Sequence, residues 1–258
     1  MTVVDDALGT ALASAAAAGR LLVAVDFDGT LAPIVADPEA ARALPGGLEA
    51  LEELATLDGT TVVLVSGRSR DALARLAPTS ASVRTIGSHG AESDAFVLSP
   101  RDEDRLRTVL AAVHAVADGV AGVLLERKPA GIAVHVRNAS RDDAARVSRA
   151  VLDGPATLEG VHVTRGKEVV ELSVLDATKG AAVDALRAAV SADRVLYLGD
   201  DVTDETVFGA LGPDDVGVKV GDGPSAASHR VAGPEDVVRL LQRLLADRRA
   251  TSERGGAA

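Results

Sequence analysis

Two carboxylates two residues apart, Asp26 and Asp28, follow the apolar run Leu21–Val25 and precede Gly29-Thr30. A second acidic cluster, Gly199-Asp200-Asp201-Val202-Thr203-Asp204-Glu205, follows the run Arg194–Leu198. Carboxylates at the end of a buried strand are costly unless they are paired or hold a cation. Brought to one sheet edge, the two clusters would supply the hard oxygen ligands that suit Mg2+, which keeps waters that phosphate oxygens can replace. A carboxylate can also attack phosphorus and form an aspartyl-phosphate. Taken singly, each cluster also has a plainer reading as a capped turn, since Asp and Gly favour turns. Two further pieces belong with them. Ser66-Gly67-Arg68 offers a hydroxyl and backbone N–H groups at a helix start, where anions bind. Thr178-Lys179-Gly180 offers an ammonium that would balance charge between phosphate and carboxylate. Alone, these read as a helix start and a solvated lysine; their order around the acidic clusters joins them.

The elements that must position these residues alternate. Leu21–Phe27 and Thr60–Ser66 are continuous apolar runs, the pattern of parallel strands buried on both faces. Val83–Ile86, Arg194–Leu198 and Val216–Val220 are further strands. Helical spacing covers Gly47–Leu57, Ser69–Leu76, Gly180–Val190, Asp204–Leu211 and Pro234–Leu245, with an N-terminal helix around Ala11–Ala18 and a frayed tail from Arg249 to Ala258. Such alternation predicts an α/β fold with an open parallel sheet, whose ligands sit beyond the carboxyl ends of the strands. The middle differs. Helix Asp102–Asp118 precedes strands Val123–Arg127 and Ile132–Arg137; helix Arg141–Leu152 precedes strands Val161–Arg165 and Val169–Val174. This αββαββ order predicts an antiparallel sheet with helices on one face, an α+β domain over 101–176 inserted into a core made of 1–100 and 177–258.

Composition narrows the function classes. The 258 residues are 47% hydrophobic but only 2% aromatic, so the core is packed with Val, Leu and Ala, and platforms for stacking nucleic-acid bases are lacking. The net charge of −11 repels phosphate backbones and anionic lipid, so an anionic substrate must be neutralised locally. The absence of Cys excludes disulfides, thiolate metal sites and Cys nucleophiles. No run suggests a membrane span, and the acidic start is unlike a secretory signal, which leads to an expected cytoplasmic setting.

In combination, DxDGT at Asp26–Thr30, the serine Ser66, Lys179 before a helix and GDDxTDE at Gly199–Glu205 resemble the haloacid-dehalogenase (HAD) superfamily of phosphohydrolases. The resemblance implies a Rossmann-like core and these roles: Asp26 as nucleophile, Asp28 as general acid and base, Ser66 as phosphoryl holder, and Lys179 as charge balance. It implies Mg2+ on Asp26, the backbone carbonyl of Asp28 and Asp200, with Asp201 and Asp204 as further acids and Asp204 outside direct coordination. Gly67 and Arg68 would complete the phosphate loop. His89, in Gly87-Ser88-His89-Gly90-Ala91-Glu92, either approaches substrate or bonds to backbone, as neutral His can do both.

The insert lies where the superfamily carries its larger cap, type C2B. Glu126-Arg127-Lys128, His135-Val136-Arg137 and Val169-Val170-Glu171 resemble the cap of the trehalose-6-phosphate phosphatase family. The resemblance implies a small-molecule sugar phosphate as partner, bound by Glu126, Lys128, Arg137 and Glu171; charge and composition point to no nucleic acid and no membrane, and the sequence leaves the oligomeric state open, a monomer being one expectation. The residues themselves also suit cross-strand ion pairs on a solvated sheet face, with Arg137 as one partner. In that family the last cap strand often continues with Arg and Pro; here it continues Leu172-Ser173-Val174. Competing readings are a phosphatase for sucrose phosphate or mannosyl-phosphoglycerate, a phosphomutase with the same nucleophile, and a non-catalytic sensor. Intact Asp26, Asp28, Lys179 and Asp200 argue against the last.

Overall fold

The computed structural model describes residues 6–93 and 98–255. The chain divides into two compact units, one made of Met1–Ala95 and Thr178–Ala258, the other of Phe96–Ala177.

The first unit contains the expected parallel sheet. Its strands are β1 (Leu21–Asp26), β2 (Thr60–Val65), β3 (Val83–Ile86), β8 (Arg194–Gly199), β9 (Val216–Val220) and β10 (His229–Val231), in the spatial order β10-β9-β8-β1-β2-β3, with every adjacent pair parallel. The chain builds outward from β1 through β2 to β3, then returns to the other side of β1 with β8. The strand order therefore reverses at β1 and β8, where a crevice opens at the carboxyl ends. β1 is buried along its whole length, which its run of Leu, Val and Ala permits. Val23 and Val25, with Leu196 and Leu198 of β8, face one large core closed by α1 (Asp6–Ala16), α2 (Gly47–Ala55) and α8 (Pro234–Gly255). Each such side chain contributes about 1.5–3 kcal/mol when fully buried. The alternate residues, Ala24 and Asp26, point to the opposite face, as does Tyr197, which is paired with Ala24 in register. α3 (Arg70–Leu76), α6 (Lys179–Val190) and the short α7 (Glu205–Phe208) complete the unit.

Two expectations for this unit need correction, and one strand was not foreseen. β10 carries too little apolar sequence, His229-Arg230-Val231, to read as a strand, yet it pairs with β9. The helix expected from Asp204 to Leu211 is four residues long, Glu205–Phe208, and passes into turns at Gly209. The last helix does not stop at Leu245 but runs to Gly255; residues 256–258 of the expected frayed tail lie outside the described residues. Arg248 explains the extension. Its guanidinium is buried and donates to the carbonyls of Ala16, Ala18, Gly19, Asp58 and Gly59 and to Thr60 Oγ1, tying α8 to two loops. Arg249 pairs with Glu53 beside it.

The second unit is an antiparallel sheet, β4 (Leu124–Lys128), β5 (Gly131–His135), β7 (Val169–Ser173) and β6 (His162–Gly166) in that order, with α4 (Pro100–Ala117) and α5 (Arg141–Asp153). α4 begins at a capping box in which Ser99 and Asp102 exchange side-chain and backbone bonds. Ile132, Val134, Val170 and Leu172 alternate along β5 and β7 and are buried. The other face carries Glu126, Lys128, His135 and Glu171, which register in adjacent rows.

Candidate active site

At the carboxyl edge of the parallel sheet, the two acidic clusters meet. Asp26 ends β1, and Asp200 follows β8, its immediate neighbour. One carboxylate oxygen each of Asp26, Asp200 and Asp204 lies within 4.8 Å of the others. Gly29 permits this approach. Its φ of +82° is unfavourable for other residues, and a Cβ there would sit 2.1 Å from the Asp200 carboxylate. Thr30, buried, donates to Asp200 Oδ1 at 3.4 Å. Gly199 plays the matching part, since its Cβ would lie 2.4 Å from the Asp204 carboxyl carbon.

Lys179 is the counter-charge. Thr178 caps α6 by accepting from the N–H of Ala181 at 3.1 Å, so Lys179 is the first residue of the helix and projects from its N-terminus. Its ammonium is buried and donates to Asp26 Oδ1 at 2.6 Å and to Asp204 Oδ1 at 2.7 Å. Gly180 lets α6 approach α7, because a Cβ would sit 2.3 Å from the Thr206 carbonyl.

The electrostatics follow from this crowding. Burial, with Asp204 and Asp200 close by, holds the Asp26 carboxyl well above the usual range, against the pull of Lys179. Burial and the neighbouring Asp204 and Asp201 push Asp200 up to about 6. Burial opposes the charge on Lys179, but Asp26 and Asp204 outweigh it and raise its pKa. Clustered carboxyls that resist ionisation are the donor set a divalent cation stabilises, so a cation of the Mg2+ class fits these residues.

The other expected residues are placed as follows. Asp28 does not join the acidic group. Its carboxylate takes a forked ion pair from Arg68, Nε to Oδ2 at 2.6 Å and Nη2 to Oδ1 at 2.7 Å. Asp201 does not join it either: its side chain is exposed and its backbone N–H donates to Asp204 Oδ2 at 2.8 Å. Asp204 is fully buried; its oxygens accept from Lys179, Tyr197 and the Asp201 amide, which makes it an anchor for the lysine. Ser66, buried after β2, accepts the Arg68 N–H on Oγ at 3.2 Å. Its backbone carbonyl accepts the His89 N–H at 3.0 Å. His89 lies against Gly67, where a Cβ would meet the imidazole at 2.4 Å. Both Ser88 and His89 have positive φ, 49° and 54°. Glu92 holds that turn, its carboxylate accepting from Ser88 Oγ and from the Arg70 N–H.

In the second unit, Glu126 and His135 pair at 2.9 Å across β4 and β5. Lys128 on β4 reaches Glu171 on β7 at 2.7 Å, past β5, where Gly131 and Ala133 are too small to intervene. Arg137 lies beyond the end of β5 and pairs with Glu168 at 3.2 Å.

Sequence reading missed Tyr197 and Lys219. Tyr197 is buried on β8 and donates to Asp204 Oδ1 at 2.6 Å; burial and Asp204 raise its pKa. The signal was a lone Tyr within an apolar strand, since a buried phenol needs a partner. Lys219 is buried in β9 and donates to the Asp200 carbonyl, with Glu205 3.9 Å away. A lysine in a strand otherwise buried throughout was the corresponding signal.

Among the described residues, no helix is long and apolar enough to cross a membrane. A "Trehalose-phosphate phosphatase" of Mycobacterium tuberculosis is 36% identical over 264 residues, 95% of this chain and 66% of that protein. One of Mycobacterium marinum is 36% identical over 248 residues, 87% of this chain and 61% of that protein. The chain thus spans 61–66% of the length of these curated relatives. A solved structure described as a trehalose-6-phosphate phosphatase related protein superposes with a TM-score of 0.70 at 26% identity, covering 87% of this chain and 97% of that one. The family model described as trehalose-phosphatase matches residues 24–235, and the chain, having the parallel core, the separate antiparallel sheet and the motifs in order, belongs to that family.

Proposed function

We propose that the protein is a Mg2+-dependent phosphatase that hydrolyses trehalose 6-phosphate to trehalose and inorganic phosphate, the last step of trehalose biosynthesis. The observation that carries this reading is the buried Lys179 ammonium shared by Asp26 and Asp204, with Asp28 two residues further on. Asp26 attacks phosphorus, forming a P–O bond to its carboxylate as the bond to the sugar oxygen breaks. Asp28 gives that oxygen its proton. It then takes a proton from water, whose oxygen attacks the aspartyl-phosphate and releases phosphate and Asp26. Ser66, Gly67 and Arg68 bind the phosphoryl oxygens, and Lys179 balances their charge against Asp26. Asp26, the Asp28 carbonyl and Asp200 would hold Mg2+, flanked by Asp201 and Asp204; when bound, the ion neutralises carboxylate and phosphoryl charge.

Sugar selectivity is assigned to the unit Phe96–Ala177, taken as the cap. Glu126 and Glu171 accept from hydroxyls, and Lys128 and Arg137 donate; His89, of the other unit, is also assigned to substrate binding. The proposed setting is the cytoplasm and the working unit a monomer. Phosphate release from trehalose 6-phosphate, measured beside glucose 6-phosphate and sucrose 6-phosphate with and without Mg2+, tests the reading. Preferred, Mg2+-dependent release from the first is expected; preference for sucrose 6-phosphate would move the assignment to a related sugar phosphatase.

A further inference from the structure

Arg68 belongs to the turn that carries Ser66, yet its guanidinium grips Asp28, the carboxylate assigned to proton transfer. Two parallel N–H groups meet two carboxylate oxygens. The same planar fork fits two oxygens of a phosphate group equally well. The backbone of Arg68 is fixed on both sides: its N–H donates to Ser66 Oγ at 3.2 Å and its carbonyl accepts the Ser88 N–H at 2.8 Å. The guanidinium leans on the Phe27 ring, 5.8 Å from its centroid. Any change of partner by the guanidinium therefore starts from a backbone held in place beside the proposed phosphate loop. The pair retains contact with solvent, its side chains 15% and 32% exposed, so water and salt screen it and a competing anion can reach it. A phosphate monoester at neutral pH carries more charge than one carboxylate and offers three strong acceptor oxygens.

We propose that Arg68 is exchanged: Asp28 holds it before substrate arrives, the phosphoryl group takes it over, and the substrate thereby frees Asp28 for proton transfer. This rests on the phosphatase reading and adds to it a step in which binding of the anion arms the acid. It also gives Arg68 two successive partners where simple phosphate binding gives it one.

The test is the affinity of the Mg2+-loaded protein for inorganic phosphate, measured by calorimetry in four forms: wild type, Asp28→Asn, Arg68→Ala and the double variant. If binding must break the Asp28–Arg68 pair, Asp28→Asn tightens phosphate binding by more in the presence of Arg68 than in its absence. The excess is roughly two- to fivefold, the usual strength of an ion pair in contact with solvent. Simple removal of a repelling charge acts equally in both backgrounds, so equal or smaller tightening with Arg68 present overturns the exchange and leaves the phosphatase reading standing. Phosphate binding to none of the four forms overturns both. Arg68→Gln repeats the cycle should the alanine variant fail to fold.

Discussion

At the edge of the six-stranded sheet, Asp26, Lys179 and Asp204 are buried and come from three separate segments of the chain. On the polar face of the four-stranded sheet, Glu126 and His135 pair nine residues apart across adjacent strands, and Lys128 pairs with Glu171, 43 residues on. In the first region Lys179 joins Asp26, 153 residues away, to Asp204, 25 residues away, and all three charges are enclosed. Loss of one member leaves another charged and buried. In the second, Glu126 and His135 are more than a third exposed and can be re-solvated. Lys128 and Glu171 are the exception, being nearly as enclosed as the core pairs. The difference separates the buried group proposed to carry phosphoryl transfer, where one substitution strands a charge, from a face on which the Glu126–His135 pair can exchange partners with solvent.

The largest effect that would break this division falls on the core. Asp26→Asn should lower turnover by at least about 10³-fold with the folded state retained, because the amide is near in shape but a poor nucleophile. Near-normal turnover, with melting unchanged, would assign the attack to another residue. Asp28→Asn should lower kcat by roughly 10² to 10⁴, the usual worth of a positioned proton donor. A change confined to KM would contradict that role.

Two smaller effects sharpen the boundary. Glu171→Ala should cost one to two decades in kcat/KM for trehalose 6-phosphate, from a lost charged hydrogen bond of about 1.5–3 kcal/mol, and little for p-nitrophenyl phosphate. Since the substitution also strands the enclosed Lys128, Glu171→Gln is the companion; equal losses on both substrates would make the pair a folding element. Tyr197→Phe removes one donor to Asp204 and should lower kcat about tenfold on both substrates, with KM nearly unchanged, the loss of one hydrogen bond to a charged group. An unaltered kcat with a lowered melting temperature would reduce Tyr197 to packing.

The smallest effect is one of pH. Asp200 binds its proton more tightly folded, at about 6, than an unfolded Asp does. Its contribution to the stability of the metal-free protein is therefore present at low pH and declines as pH rises from about 4 to 6. A divalent cation replaces that proton, so the thermal shift produced by Mg2+ should grow between pH 5 and 7. A shift independent of pH over that range would detach the cation from Asp200.

The sequence by itself determined the strand–helix alternation, the αββαββ insert and the order of the four motifs. These depend on local patterns: β1 must be an apolar run because it is buried on both faces, and Lys179 follows a capping Thr178 wherever α6 lies. The extent of α8 escaped the pattern because Arg248 bonds to Gly59 and Thr60, more than 180 residues away in sequence. The same holds in the site. Asp26, Asp28, Asp200, Asp201 and Asp204 look alike in sequence, all acids after a strand. Only the tertiary structure assigned Asp28 to Arg68, turned the Asp201 side chain outward, and buried Asp204 between Lys179 and Tyr197. Residue type and spacing determine what a side chain can donate or accept, whereas its actual partner is decided by which strand ends the sheet brings within hydrogen-bond reach.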